Sequence, residues 1–164
     1  MTLIRVIFAL ALSLIGQTLL TRLLPGAAIF IDLTLLPVVW WGVAGGQRSA
    51  MLVGCASGLI HDAWFRIAVF GMGGFKRTLI GWLLGGLGGR FDLNHGLGRF
   101  AVTALVAFAD GLLDLGLRAM LDLRQSAPTL ELIARSLCTG LAAVLIFAFV
   151  DRFRRRDRYS GRLG

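Results

Sequence analysis

The sequence predicts an all-α membrane protein with about six transmembrane helices in one bundle, on three observations. First, 57% of the 164 residues are hydrophobic and 16% are charged, with a mean hydropathy of +0.79. A soluble domain is about half apolar and about a quarter charged. A single domain of this length cannot hide so much apolar side chain from water, so the surplus must face lipid. Second, the apolar residues form continuous runs rather than alternating ones, which selects helices over a transmembrane barrel. Third, turn chemistry cuts these runs at the spacing a bilayer demands. About 20 residues rising about 1.5 Å each cross a hydrocarbon core about 30 Å thick.

The expected spans are roughly 3–24, 28–44, 49–66, 72–89, 100–121 and 130–150. The first superficially resembles a signal peptide, but its apolar stretch runs on to Leu20 and Arg22 with no small-x-small cleavage site. Pro25-Gly26 separates it from the second. Gly45-Gly46-Gln47-Arg48 separates the second from the third, and Phe70-Gly71-Met72-Gly73-Gly74 precedes the fourth. The longest polar connection is Gly89 to Gly96, and Gln125-Ser126-Ala127-Pro128-Thr129 caps the sixth span. Residues 1–150 form one six-helix transmembrane domain and 151–164 a basic cytoplasmic tail; there is no room for a separate soluble domain.

The net charge of +8 is unevenly placed. Arg152, Arg154, Arg155, Arg156, Arg158 and Arg162 crowd the tail. Nucleic acid would explain such a run, but a positive-inside anchor beside acidic headgroups explains it with less, so no nucleic-acid partner is expected. Six spans put both termini on one side, with Arg48, Arg90, Arg99 and the tail arginines. The opposite side holds Arg22, Arg66 and Arg124, with Lys76 and Arg77 at a helix mouth. The bias makes both termini cytoplasmic.

Ionisable groups inside a span cost several kcal/mol unless paired or wet, so their depth is informative. Asp32, Asp62, Lys76, Arg77, Asp114, Arg118, Glu131 and Arg135 all fall toward the outer end of their spans, although the helices alternate in direction. Asp110 alone sits near mid-membrane. Asp110, Asp114 and Arg118 are spaced i, i+4, i+8 and share a helix face, because each step of four turns the helix by only about 40°. Glu131 and Arg135 repeat the spacing. The expected polar intramembrane cluster is Asp32, Asp62, Arg77, Asp110, Asp114, Arg118 and Arg135. It is either a structural clamp between helices or a binding or proton-relay site. Asp114 and Arg118 are expected to pair with each other or with Asp62, Arg77 or Arg135.

Gly54 and Gly58, and Gly81 and Gly85, are spaced four apart and offer faces for close helix packing. Trp40, Trp41, Trp64 and Trp82 read as interfacial or lipid-facing anchors, and His61 as a packing residue. Cys55 and Cys138 lie in apolar segments without disulfide or metal spacing. No zinc-protease helix, nucleophile elbow or phosphate loop occurs. Asp110-Gly111-Leu112-Leu113-Asp114 opens like the motif of lipid-headgroup phosphotransferases, but Asp114-Leu115 stands where that pattern has Ala-Arg. No catalytic residue, metal or cofactor is expected.

Three segments carry a family resemblance. Ile31-Asp32-Leu33-Thr34-Leu35-Leu36-Pro37 is similar to a Pro-Asp-x-x-Leu pattern at the start of a second span. Gly54-x-x-x-Gly58-Leu59-Ile60-His61-Asp62 is similar to Gly-x-x-x-Gly-Leu-x-x-Asp. Phe70-Gly71-Met72-Gly73-Gly74-Phe75 leads into a glycine-rich helix. With its length, span count and basic tail, the chain resembles the MreD family of rod shape-determining membrane proteins over roughly residues 3 to 155. It departs at Ile31, where the family usually has proline, and at the charged Lys76-Arg77. The resemblance implies an S-component-like fold, a bacterial inner-membrane location and a noncatalytic scaffold of side-wall peptidoglycan synthesis. It also implies partners: an MreC-like protein, the actin-like MreB, a RodA-like polymerase and a class B transpeptidase. The shared fold raises an alternative, the substrate-binding S-component of an energy-coupling-factor vitamin transporter. That reading requires an open, aromatic-walled pocket where a scaffold requires paired charges and a closed one.

Overall fold

A computed structural model of the chain describes residues 2–66, 69–87, 96–123 and 129–160. Among these there are seven α-helices, one 3-10 turn and no strand. The helices are α1 (Thr2–Leu23), α2 (Pro25–Ala28), α3 (Leu36–Ala44), α4 (Gln47–Trp64), α5 (Met72–Leu87), α6 (Gly96–Met120) and α7 (Thr129–Ser160); the 3-10 turn is Leu33–Leu35. Residues 89–95 of the expected polar connection, Arg124, residues 125–128 of the cap, and Arg162 lie outside the described residues.

Among the described residues, three helices are long and apolar enough to cross a membrane: Leu3–Leu23, Leu97–Met120 and Leu130–Phe149. The other three expected spans take different forms. Span 28–44 is not one helix. It is the single turn α2, an extended step at Asp32, the 3-10 turn and the nine-residue α3. The cause is local. Asp32 (φ −112°, ψ 95°) turns its carboxylate onto the Thr34 amide, which starts a new helix there. Pro37 then sits in the first turn of α3, where its missing N–H costs nothing. Helix α4 has 18 residues but carries Gln47, Arg48, His61 and Asp62, and α5 has only 16 residues. Helix α7 does not stop at 150; it runs unbroken through Asp151 to Ser160, so the boundary drawn there falls inside a helix.

Lipid tails are as apolar as leucine, so packing rather than hydrophobic drive holds such helices together. Helix α3 is the hub of that packing. Leu36, Val38 and Val39 meet Ile80 and Leu84 of α5, Val102 and Val106 of α6, and Ala143 and Phe147 of α7. Trp40 joins this core, its ring centroid 5.4 Å from that of Phe147, and so is not the lipid-facing anchor expected of it. Trp64 and Trp82 are exposed. The closest pairings are α4 with α5 and α6 with α7. Helix α1 lies at the edge, with Leu3, Ile4, Ile7, Phe8, Leu12, Ile15, Leu19 and Leu23 all exposed. Among its described residues, Leu10 and Gln17 are the buried ones.

Candidate functional site

The break before the 3-10 turn frees backbone groups that lipid cannot satisfy. Side chains from the first and last helices take them up. Gln17 of α1 donates from Nε2 to the Ile31 carbonyl (3.1 Å) and accepts at Oε1 from the Leu33 amide (2.9 Å). The Thr139 hydroxyl of α7 accepts from the Asp32 amide (3.2 Å) and donates to the Phe30 carbonyl (3.2 Å).

This frame fixes Asp32, which is 3% exposed. Its Oδ1 accepts from the Thr34 amide (3.0 Å) and hydroxyl (2.6 Å). Its Oδ2 accepts from two guanidiniums, Arg77 Nη2 at 2.9 Å and Arg135 Nη2 at 3.1 Å. Arg77 also donates from Nη1 to the Ser57 hydroxyl (3.2 Å) and carbonyl (3.4 Å), and Ser57 donates to the Thr34 carbonyl (2.7 Å). One carboxylate thus ties the 3-10 turn to α5 and α7, and through Arg77 and Ser57 to α4.

A second set of charges runs along α5 and α6. Lys76 Nζ lies 2.7 Å from Asp114 Oδ1 and 3.5 Å from Asp110 Oδ2, and Arg118 Nε lies 2.6 Å from Asp114 Oδ2. Asp110 is 1% exposed, while the Arg118 side chain at the other end is 29% exposed. Neighbours on a helix point about 100° apart, so Lys76 serves this set while Arg77 serves Asp32.

Asp62 does a third job. Its Oδ2 accepts from the amides of Gly71 (3.1 Å) and Gly73 (2.8 Å), around the first residue of α5. A carboxylate there answers both the orphan amides and the positive end of the helix dipole. Gly71 has φ 94°, and a Cβ on Gly73 would strike Asp62 Oδ1. His61 Nδ1 lies 3.9 Å from Asp62.

The expected cluster is therefore three separate arrangements at one end of the bundle. Asp114 pairs with Arg118 and with Lys76, and among the described residues neither Asp114 nor Arg118 bonds Asp62, Arg77 or Arg135. Arg135 goes to Asp32, and among the described residues no Glu131–Arg135 ion pair forms. The expected cluster did not include Lys76, whose depth was noted, nor Gln17, Thr34, Ser57 and Thr139. Lys76 carried a signal as a charge inside a span and Gln17 as the one amide in its span; a hydroxyl in a membrane helix carries none. Among the described residues, the buried polar atoms Arg77 Nε, Thr103 Oγ1 and Asp110 Oδ1 have no hydrogen-bond partner.

The glycines lie along the α4–α5 seam. A Cβ on Gly54 would meet the Arg77 carbonyl, one on Gly58 the Gly73 carbonyl, one on Gly81 the Ala50 carbonyl, and one on Gly85 the Gln47 Cα. Beside the charged end, a cavity of about 10 Å³ is lined by Leu10, Ser13, Leu14, Thr34, Ser57 and Ile60, room for about one water.

The family model described as rod shape-determining protein MreD matches residues 1–156, nearly the whole chain. No curated protein and no solved structure matches it.

Proposed function

The chain belongs to the MreD family of rod shape-determining membrane proteins, and from that premise we propose that it is a noncatalytic scaffold of the bacterial cell-elongation machinery, acting in side-wall peptidoglycan synthesis. Its partners are an MreC-like protein, a RodA-like polymerase and a class B transpeptidase. It sits in the inner membrane with both termini cytoplasmic, and its broken second segment completes a six-crossing bundle. The observation that carries the reading is the family match over residues 1–156. The geometry is in keeping with it. Asp32, Asp62 and Asp114 are each held by groups on another element, as a clamp requires.

The transporter reading has less support. It requires a roomy, aromatic-walled pocket, whereas the cavity beside the charged end is water-sized and lined by aliphatic and hydroxyl side chains. The test is purification of the tagged full-length protein in mild detergent after in-cell cross-linking. Recovery of the MreC-like protein with the polymerase or transpeptidase is expected. Recovery of transporter ATPase subunits with a bound vitamin-like molecule would sink the proposal.

A further inference from the structure

The direct contacts at Asp32 are unequal, although Asp110 and Asp114 also act on Arg135 through space. Two guanidiniums converge on a single carboxylate oxygen, Oδ2, while Oδ1 is committed to Thr34. The nearby acids do not make up the difference by contact. Asp110 and Asp114 face Lys76 and Arg118, and Asp62 is held by the Gly71 and Gly73 amides. Glu131, one turn before Arg135, makes no ion pair with it. A guanidinium donor left unmatched in a low-dielectric setting is costly.

A second, independent observation lies in Arg77, whose side chain is 3% exposed and whose Nε has no partner. In a guanidinium Nε–H and one Nη2–H lie parallel along one edge, the edge that grips an oxyanion with two bonds. Arg77 uses the Nη2 half of that edge on Asp32 and leaves the Nε half unmatched. Arg135, on the same oxygen, has its side chain 34% exposed, so the arrangement reaches the surface there.

We propose that Arg135, backed by Arg77, forms a binding site for a phosphate-bearing anion at the charged end of the bundle. Such an anion accepts from the guanidinium donors that Asp32 does not use. A planar fork suits phosphate geometry better than an ammonium does. The site stands apart from the protein partners proposed above: it is one anionic group on two arginines, whichever proteins assemble around the chain. Phosphate chemistry could come from a lipid headgroup or from a free ion, and the experiment separates the two.

Purified full-length protein is placed in nanodiscs of phosphatidylcholine alone and of phosphatidylcholine with phosphatidylglycerol. Inorganic phosphate is titrated separately in detergent. The readouts are lipid retained in native mass spectra and the shift in thermal midpoint. Wild type is expected to retain phosphatidylglycerol selectively, and Arg135→Gln to retain it about tenfold less well, the size of one or two charge-assisted bonds. Arg66→Gln removes an exposed arginine outside the arrangement and should match wild type. Stabilisation of wild type, but not of Arg135→Gln, by inorganic phosphate alone supports the site with a free ion as its source. Equal retention by wild type and Arg135→Gln overturns the proposal, as does retention that falls equally in Arg66→Gln. Indifference of wild type to both probes also overturns it. Should Arg135→Gln fail to fold, Arg135→Lys replaces it: a several-fold loss of retention is expected because the charge stays and the fork goes, and no loss overturns the proposal.

Discussion

Asp32→Asn tests whether the charged end holds the bundle together. The substitution keeps the shape and an oxygen able to accept from Thr34, but removes the charge on which Arg77 and Arg135 converge. The two arginines do not suffer equally. Arg135 has its side chain 34% exposed and can swing its head outward along its own stem. Arg77, at 3% exposed, has nowhere to go and keeps only Ser57. Removing one partner of a buried ion pair costs about 3–5 kcal/mol, and that cost falls on Arg77 alone rather than twice over. Asp32→Ala removes the Thr34 cap as well and should cost about 1 kcal/mol more. Arg135→Gln should cost under about 1 kcal/mol, because Arg77 still answers Asp32. The assay is denaturant titration in mixed micelles, read by tryptophan fluorescence, for which Trp40 packed on Phe147 is the reporter. An Asp32→Asn protein within about 1 kcal/mol of wild type would refute the clamp.

Alanine at Gly58 or Gly81 places a methyl against a backbone carbonyl of the facing helix and should cost about 1–3 kcal/mol in the same titration. Gly116→Ala, in a helix interior with open space around it, should be neutral or gain about 0.5–1 kcal/mol; equal behaviour of all three would show that the seam is not a close contact. Arg118→Ala should cost only about 0.2–1 kcal/mol, since the pair is partly exposed and Lys76 still holds Asp114. Lys76→Met strands the buried Asp110, although Arg118 still holds Asp114, and should cost several times more by thermal stability in detergent; the reverse order would contradict the ladder. Reporter fusions after Arg48, after Arg99 and at Gly164 should report cytoplasm, and those near Gly26, Gly71 and Ser126 the outside. A C-terminus outside would undo the six-crossing arrangement.

The helical class was legible because apolar content and run length are sums, and sums survive ignorance of detail. The spacing of Gly54, Gly58, Gly81 and Gly85 was legible for a related reason: small residues four apart mark one face whatever passes over it. The break at Asp32 was lost in the same summation. Averaged over 28–44 the segment is apolar, and hydropathy does not respond to one extended residue. A finer signal was present in Asp32-Leu33-Thr34, an acidic cap with a hydroxyl two residues on, and in Pro37 at the start of α3. Pairing across helices was not legible at all. The Asp114–Arg118 bond follows from one helix's geometry, but Lys76–Asp114 and Arg77–Asp32 depend on how α5 is rotated. A 100° error in that rotation exchanges the two.

Helix α5 explains why Asp62 stands where it does. Its 16 residues span about 24 Å, some 6 Å short of a hydrocarbon core about 30 Å thick. If its far end reaches one interface, its first amides open inside the core, where unmatched N–H groups cost several kcal/mol each. No side chain caps them from within the helix's own first turn, which is Met72, Gly73 and Gly74. Glycine is needed there instead, because Gly58 brings the backbone of α4 against Gly73. Close approach and self-capping are therefore incompatible at this point. The cap has to come from α4, one turn beyond Gly58, and Asp62 supplies it to Gly71 and Gly73. The Gly54-x-x-x-Gly58-x-x-x-Asp62 spacing is thus one device: two glycines let α5 in, and the carboxylate on the same face closes the end that their approach leaves open. Leucine at Gly58 should then do more than widen the seam. By pushing α5 away it should also pull Gly73 off Asp62, so Gly58→Leu combined with Asp62→Ala should cost less than the sum of the two single changes. Strict additivity in that cycle would separate the packing from the cap.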